Sequence, residues 1–269
     1  MLDHGFLYGD GVFETLRAYD GCLFRIDEHL SRLKESAQGL KLTVPHPFPR
    51  LRRLLYQSLS VNHLHNAMIR ICISRGVGPI GLDPALCRKP TLVIVPKAFN
   101  GYPVSQYRRG LKLSVVSVRR TPRQSVDPRI KSMNFLNNIL ARIQAKQNHA
   151  EEGLMLSLDG YLAEGSISNL FLVKDRRLYT PAAGLGILEG ITRQVVIEVA
   201  RKNRIPLHET RLRPSDLYKA DECFLTNTSM EIMPVTQADG KKIGHGKPGP
   251  ITRFLHEAYR NRVRWECRA

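Results

Sequence analysis

The sequence predicts an α+β fold organised as two domains. The chain has 269 residues, more than the ~150 residues of a typical single domain. Helix-like and strand-like stretches are mixed along it without the regular alternation of a parallel α/β protein. A segment rich in proline and arginine interrupts the apolar pattern at 119–129. We therefore predict a first domain at 1–118, an interdomain linker at 119–129 and a second domain at 130–269.

In the first domain, the spacing of apolar residues distinguishes helices from strands. Ile26, Leu30 and Leu33 form one helical face, and Gly39 is the expected C-cap of that helix. Alternating and branched residues indicate strands, and a Gly/Pro-rich loop at 76–90 is long enough to be functional. The predicted elements are helices at 23–40 and 49–59 and strands at 67–76, 90–98 and 111–118.

A helix is expected near the start of the second domain, directly after Lys131. Apolar residues then recur at spacings of three and four, and Ser132 is the expected N-cap. This arrangement places Lys131 at the mouth of a helix, where the dipole and the unpaired N–H groups disfavour a cation. We therefore expect a lowered pKa for its amine. The other predicted elements are strands at 153–165, 169–181 and 220–228 and helices at 191–203 and 251–263.

Composition excludes several classes of protein. The 41 Lys and Arg residues outnumber the 24 Asp and Glu residues, giving a net charge of +17. The basic residues are scattered and no nucleic-acid-binding signature is present, so a basic surface or a preference for anionic small molecules is favoured over nucleic-acid binding, which stays a remote alternative. No apolar run approaches the ~20 residues of a membrane span, and we expect no membrane segment.

The five cysteines are odd in number and contain no CxxC pair (Cys22, Cys72, Cys87, Cys223 and Cys267). This usage is typical of a reducing, cytoplasmic compartment. It favours neither a disulfide framework nor a zinc site.

Three further stretches carry polar groups that suit a reactive lysine. Glu164 follows a half-apolar strand, although such a carboxylate is more often an ordinary turn residue. Gly190 precedes a helix whose first N–H groups, at Ile191 and Thr192, can bind phosphate, although many glycines serve only the turn. Four hydrogen-bonding side chains at 226–229 end a strand and could bind an anion or cap the next turn.

These groups match the needs of one kind of cofactor. A lysine with a lowered pKa is a nucleophile that forms Schiff bases. A phosphorylated pyridine aldehyde requires a helix N-terminus, a cation and hydroxyls for its phosphate, and an acid to keep its ring nitrogen protonated. The sequence contains one candidate for each of these parts, and spacing alone takes the inference no further.

Six stretches resemble, in order, the motifs of the class IV (fold type IV) pyridoxal-phosphate enzymes. They run from residue 3 to about residue 235 and are DHGFLYGDGVFETLR, RIDEHLSRL, IKSMNFLNN, YLAEGSISNLF, LEGITR and FLTNTSMEIMPV. That family holds branched-chain and D-amino-acid aminotransferases, R-selective amine transaminases and aminodeoxychorismate lyases. The resemblance implies a small α/β domain, a larger pseudo-barrel domain that binds pyridoxal 5'-phosphate, and a homodimer with active sites near the subunit interface.

The resemblance also assigns roles to individual residues. Lys131 matches the Schiff-base lysine and proton shuttle, and Glu164 matches the partner of the pyridine nitrogen. Arg32, in EHLSRL, matches the arginine that binds the cofactor phosphate, for which an exposed helical arginine is the alternative. Ile191 and Thr192 match backbone donors to that phosphate.

The remaining matches complete the phosphate site and the substrate pocket. Thr228 matches a hydroxyl that binds the phosphate. Tyr8 and Phe13 match substrate-pocket positions, although an aromatic residue there could belong to the core. Arg70 matches a position on the substrate-carboxylate side in branched-chain enzymes, and Ser229 is assigned to the substrate as well.

The implied activity is transfer of an amino group between an amino acid, for which a branched-chain amino acid is one candidate, and a 2-oxo acid. Three departures keep other members of the family open. Branched-chain enzymes usually have a tyrosine at the position of Leu136 and an aromatic residue at that of Met68, whereas Phe13 stands where D-specific enzymes have a tyrosine. The alternative activity is cleavage of aminodeoxychorismate to p-aminobenzoate and pyruvate.

Overall fold

The computed structural model describes residues 2–267. The chain forms two compact units, and each combines a β-sheet with helices, which confirms the α+β class. The first unit comprises Met1–Asn100, Ile130–Phe135 and Glu266–Ala269, and the second comprises Gly101–Arg129 and Leu136–Trp265. The domain boundaries inferred from the sequence, with a linker at 119–129, stay a prediction.

The first unit contains a four-stranded antiparallel sheet in the order β2-β1-β3-β4. Helix α2 packs against β1 and α3 against β4. The helical face predicted from Ile26, Leu30 and Leu33 is buried in this core. The elements are α1 (His4–Tyr8), β1 (Gly11–Tyr19), β2 (Cys22–Leu23), α2 (Ile26–Gly39), α3 (Phe48–Val61), β3 (Ala67–Ser74) and β4 (Thr91–Ala98).

Gly39 has a different role from the one predicted. It is the last residue of α2, and Leu40 is the C-cap. A Cβ atom on Gly39 would lie 2.7 Å from Cδ1 of Ile130. The glycine is therefore required for close packing rather than for helix termination.

The second unit is built on a nine-stranded sheet in the order β10-β9-β8-β11-β12-β5-β6-β7, with β13 beside β12. Strand β7 also pairs with β8, so β8, β11, β12, β5, β6 and β7 form a closed ring. This barrel-like sheet confirms the expected pseudo-barrel. Its strands are β5 (Leu111–Arg119), β6 (Glu152–Leu156), β7 (Leu162–Gly165), β8 (Asn169–Lys174), β9 (Arg177–Pro181), β10 (Leu207–Thr210), β11 (Glu222–Asn227), β12 (Glu231–Ala238) and β13 (Lys241–Lys242).

Five helices accompany this sheet: α4 (Val104–Arg109), α5 (Leu136–Gln147), α6 (Ile191–Lys202), α7 (Pro214–Tyr218) and α8 (Pro250–Glu266). Helix α5 packs against β5 and β6, and α6 packs against β10 and β11. Among residues 2–267, no helix is both long enough and apolar enough to cross a membrane.

Helix α5 begins later than predicted. It starts at Leu136, and Ser132 forms an antiparallel bridge with Val12 of β1 instead of capping a helix. The amide of Met133 donates to the carbonyl of Gly11 at 2.8 Å. Because the backbone here pairs with a strand, these residues form an extended segment and cannot also form the first helical turn.

The apolar stripe that predicted α5 does not face the core. Four of its side chains are between 46% and 68% exposed: Leu136, Ile139, Leu140 and Ile143. The buried face carries Ala141 and Ala145 instead. These small residues let the helix approach the sheet closely, since a Cβ atom on Gly153 would lie 2.6 Å from the carbonyl oxygen of Ala141.

The expectation that the chain lacks disulfides was wrong. Cys22 and Cys267 are bonded, with their Cα atoms 5.5 Å apart. They are separated by 245 positions in the sequence, so no local spacing could have indicated the pair. Arg25 and Glu266, which are close in sequence to Cys22 and Cys267 respectively, form a bidentate ion pair. The other three cysteines, Cys72, Cys87 and Cys223, are free thiols.

Candidate active site

Lys131 is fixed by its backbone in the extended segment beside β1. Its amide donates to Oγ of Ser36 at 3.0 Å, and its carbonyl accepts from the amide of Phe13 at 3.0 Å. The amine Nζ lies 4.6 Å from the centroid of the Phe13 ring. The prediction that Lys131 lies at the mouth of a helix was wrong, because α5 begins only at Leu136.

Arg32 faces a buried acid that the sequence analysis did not select. Its Nε donates to Oε1 of Glu14 at 2.6 Å, and its Nη2 donates to Oε2 at 2.9 Å. Nδ1 of His29 lies 2.7 Å from the same Oε2. The Arg32 side chain is only 12% exposed and that of Glu14 is 0% exposed. The alternative of an exposed helical arginine is therefore wrong.

The charge states of this cluster follow from burial and proximity. Burial alone would raise the pKa of the Glu14 carboxyl, but the charge of Arg32 and the hydrogen bonds from Arg32 and His29 lower it well below its usual range. Burial lowers the pKa of His29, and the charges of Arg32 and Lys131 add to that effect against the opposing pull of Glu14. The cluster thus contains an anionic carboxylate and a guanidinium cation, and His29 donates to the carboxylate through Nδ1–H.

Three of the predicted residues meet at the Phe13 ring. The guanidinium carbon of Arg70 lies 3.7 Å from the ring centroid, on the neighbouring strand β3, and the Lys131 amine also approaches the ring. Such contacts between a cation and an aromatic face are favourable. Phe13 is buried and Arg70 is exposed, so the ring supports a charge that solutes can reach.

Tyr8 connects the first motif to the loop at 76–90. Its hydroxyl accepts a hydrogen bond from the amide of Gly81 at 3.1 Å. His4 contacts the same loop through Nε2, which lies 2.9 Å from the carbonyl oxygen of Pro79. The loop is therefore held against α1 by specific hydrogen bonds.

In the second unit, Glu164 is a buried acid and not an exposed turn residue. Its side chain is only 7% exposed. Arg120 Nε donates to its Oε1 at 2.6 Å, and Oε2 accepts from the amide of Leu188 at 2.9 Å and from Asn169 Nδ2 at 3.3 Å. Arg120 could not be singled out from the sequence, because it is one of four arginines in the predicted linker.

The N-terminus of α6 has the form expected of an anion site. Gly190 is its N-cap, Ile191 and Thr192 are the first helical residues, and no side chain in the described part of the chain caps it. A Cβ atom on Gly190 would lie 2.2 Å from Oδ1 of Asn169. Glycine therefore leaves room for the Asn169 side chain, and the first N–H groups of α6 lie where the helix dipole favours an anion.

Thr228 and Ser229 lie in the turn between β11 and β12. The cap of this turn is Asn227, whose Oδ1 accepts from the amides of Ser229 at 2.9 Å and Met230 at 2.8 Å. Thr226, at the end of β11, is buried, and its Oγ1 has no hydrogen-bond partner among the described residues. A strand end with a hydroxyl of this kind suits an additional polar ligand.

Taken separately, the two units contain the groups that a phosphorylated pyridine aldehyde requires. The first supplies an amine and a guanidinium, at Lys131 and Arg32. The second supplies a buried acid at Glu164 and an uncapped helix N-terminus at Ile191 and Thr192. The residues present therefore fit such a cofactor.

The fold combines a small antiparallel sheet with a barrel-like sheet. A family model described as amino-transferase class IV matches residues 11–238. The chain belongs to this family, and its members use pyridoxal phosphate.

Relatives with different activities align along nearly the whole chain. A Methanocaldococcus jannaschii protein provisionally named as a branched-chain-amino-acid aminotransferase is 42% identical over 98% of this chain and 91% of its own. D-alanine aminotransferase of Listeria monocytogenes is 36% identical over 98% of this chain and 91% of its own. Aminodeoxychorismate lyase of Bacillus subtilis is 35% identical over 97% of this chain and 88% of its own.

Solved structures agree with the fold. Branched-chain amino acid aminotransferase of Escherichia coli superposes with a TM-score of 0.94 and 31% identity, covering 98% of this chain and 88% of that one. Branched-chain aminotransferase of the archaeon Thermoproteus uzoniensis, solved with norvaline, has a TM-score of 0.90 and 33% identity, covering 97% and 88%. These similarities identify the chain as an aminotransferase.

Proposed function

We propose that this aminotransferase binds pyridoxal 5'-phosphate through Lys131 and moves an amino group between an amino acid and a 2-oxo acid. The observation that carries the proposal is the placement of Lys131. Its backbone is fixed by Ser36 and Phe13, its amine lies against the Phe13 ring, and its charge acts on His29 of the Glu14–Arg32 cluster.

Each side chain has a distinct task in this reaction. The bound cofactor supplies an electron sink for the bond broken at the substrate. The Lys131 amine would hold the cofactor through its aldehyde group and would remove or deliver the proton at the substrate α-carbon. Glu164, held by Arg120 and the Leu188 amide, binds the ring nitrogen and keeps it protonated.

The phosphate is assigned to three kinds of donor. Arg32 offers a guanidinium, Ile191 and Thr192 offer N–H groups at the start of α6, and Thr228 offers a hydroxyl. Each interaction is favoured by the negative charge of the phosphate.

On the substrate side we assign Tyr8, Phe13, Arg70 and Ser229. The exposed Arg70 binds a carboxylate, and the buried Phe13 ring beneath its guanidinium supports it in that position. A branched-chain amino acid is one candidate donor, and the similarity to the Methanocaldococcus jannaschii protein supports it.

A second candidate function is the cleavage of aminodeoxychorismate to p-aminobenzoate and pyruvate. The Bacillus subtilis lyase supports it, since its identity to this chain is close to that of the D-alanine aminotransferase. Both reactions use the same proton transfer by Lys131. The residues that line the substrate pocket therefore determine which of the two reactions occurs.

A panel of amino donors with 2-oxoglutarate, run beside an assay for p-aminobenzoate release, separates the two activities. We expect glutamate formation from at least one amino acid. Release of p-aminobenzoate with no glutamate from any donor would establish the lyase instead.

The attachment residue is tested with Lys131→Ala. Borohydride reduction followed by peptide mass spectrometry should place the cofactor on Lys131 in the unmodified chain. The variant should lose that adduct and all turnover while it keeps its circular dichroism spectrum. Lys146→Ala, at the exposed end of α5, is the matched control. Turnover that survives in Lys131→Ala would refute the assignment.

We further propose that the protein is a homodimer and acts in the cytoplasm. The exposed apolar face of α5 supports the dimer, because contiguous apolar surface of this kind marks interfaces. The free thiols of Cys72, Cys87 and Cys223 are compatible with a reducing compartment, whereas the Cys22–Cys267 bond is not typical of one.

A further inference from the structure

Glu14 is a buried carboxylate to which the proposed reaction gives no task. It lies on β1 next to Phe13, and its side chain is 0% exposed. A buried charge is costly unless it is paired and hydrogen-bonded. Both of its oxygens are engaged, Oε1 by Arg32 and Oε2 by Arg32 and His29.

The contact with Glu14 determines how the Arg32 guanidinium is oriented. A guanidinium is planar and carries its N–H groups on distinct edges. The Nε and Nη2 edge of Arg32 binds the two carboxylate oxygens. The end edge, formed by Nη1 and Nη2, is therefore directed away from Glu14. Because the pair is bidentate, rotation of the guanidinium would break two charge-assisted hydrogen bonds.

We propose that Glu14, itself held by His29, positions the end edge of Arg32 for the cofactor phosphate. This inference rests on the proposed function, which assigns the phosphate to Arg32. Glu14 also offsets the charge of the guanidinium before the phosphate binds. His29 acts at one remove, because its Nδ1–H fixes the oxygen that Nη2 also contacts.

The test is Glu14→Asp, which keeps the charge and withdraws the carboxylate by one methylene. Apoprotein is titrated separately with pyridoxal 5'-phosphate and with pyridoxal, which lacks the phosphate, and the two dissociation constants are measured by absorbance. We expect the affinity for pyridoxal 5'-phosphate to fall about tenfold or more, the effect of one lost hydrogen bond to a charged group. The affinity for pyridoxal should not change.

Two further variants complete the design. Glu222→Asp shortens another buried carboxylate, which caps α8 by accepting from the amides of Ile251 at 3.0 Å and Thr252 at 2.7 Å. It should leave the ratio of the two affinities unchanged. His29→Phe keeps a ring in place and removes the donor to Oε2. It should shift the ratio in the same direction as Glu14→Asp, by a smaller factor.

The results distinguish the positioning role of Glu14 from the proposed binding of pyridoxal 5'-phosphate by the protein. An equal loss of both affinities in Glu14→Asp, or no loss, would overturn the positioning role. If Glu14→Asp does not fold, an unchanged ratio in His29→Phe has the same meaning. Failure of the unmodified chain to bind pyridoxal 5'-phosphate would instead refute the proposed function.

Discussion

Buried polar residues are held here by partners that lie far apart in the sequence. Glu14 binds Arg32, and Glu164 binds Arg120. In both pairs a carboxylate is removed from water and compensated by a guanidinium, which holds it in one orientation. Substitutions that disturb these pairs should therefore change the free energy of unfolding or the affinity for the cofactor.

The Glu14 pair predicts a defined dependence of stability on pH. Because the pKa of Glu14 is lowered by folding, its contribution is complete above the unfolded-state pKa, near 4.5, and is lost progressively as the pH falls toward the folded-state pKa. Glu14→Gln should lower the free energy of unfolding by about 3 to 5 kcal/mol at neutral pH, since it breaks a buried ion pair with Arg32.

Denaturant unfolding of both proteins across the acidic range checks this expectation. The difference in unfolding free energy should narrow below about pH 4.5, because the amide that replaces the carboxyl in the variant does not titrate. A difference that stays constant down to about pH 3 would contradict it.

A side chain added at Gly190 should lower stability and weaken cofactor binding. Gly190→Ala places a Cβ atom 2.2 Å from Oδ1 of Asn169, which must move and disturb its hydrogen bonds to Glu164 and to the carbonyl of Leu188. We expect a loss of about 1 to 3 kcal/mol in unfolding free energy and weaker cofactor binding. Thermal unfolding and cofactor titration measure the two effects.

Gly184→Ala is the matched control. A Cβ atom there would meet no atom of the described residues within 4 Å. A similar loss in both variants would mean that the effect comes from backbone propensity and not from the contact with Asn169.

At the scale of the element, the apolar periodicity of α5 predicts a helix but does not identify its buried face. Spacings of three and four predicted the helix correctly, but the apolar residues lie on its exposed face. The buried face carries Ala141 and Ala145, whose small side chains allow α5 to lie close to β6. The exposed stripe is thus available to a second copy of the chain.

The stripe predicts that a charge on α5 weakens the dimer. Ile143→Lys places a cation in the apolar face, and we expect the dimer dissociation constant to rise about tenfold or more. Analytical ultracentrifugation over a range of protein concentrations gives that constant. Gln147→Lys adds the same charge at the polar end of α5 and should have a smaller effect. Equal dissociation constants for all three proteins would exclude this face as the interface.

At the scale of the whole molecule, pairings between distant segments close the structure. Strand β7 pairs with β8 to complete the ring of the second unit, and the Cys22–Cys267 bond joins two segments of the first unit that are 245 positions apart in the sequence. A covalent link across so long a loop restricts the unfolded chain strongly.

The disulfide predicts a redox-dependent stability. Cys22→Ser should lower the free energy of unfolding by about 2 to 4 kcal/mol. Added reductant should lower the melting temperature of the unmodified chain to that of the variant and should not change the variant itself. Cys72→Ser removes a free thiol and is the control. Identical melting curves with and without reductant would show that the bond does not stabilise the protein.

Much of the fold and part of the site could be predicted from the sequence because their causes are local. The stripe of Ile26, Leu30 and Leu33 is buried as its spacing indicated. Strand β1 was not identified, since Glu14 and Arg17 are buried and disturb the apolar alternation. Strand β12 was also missed because it contains Pro234, a residue that argues against a central strand.

The sequence by itself determined the α+β class, the order of the motifs and the family to which they belong. Only the tertiary structure decided that Lys131 lies in an extended segment, that α5 turns its apolar stripe outward and that Cys22 meets Cys267. The physical reason is that apolar spacing and capping act over a few residues. Strand pairing, ion pairing and disulfide formation instead depend on which distant segments folding brings together.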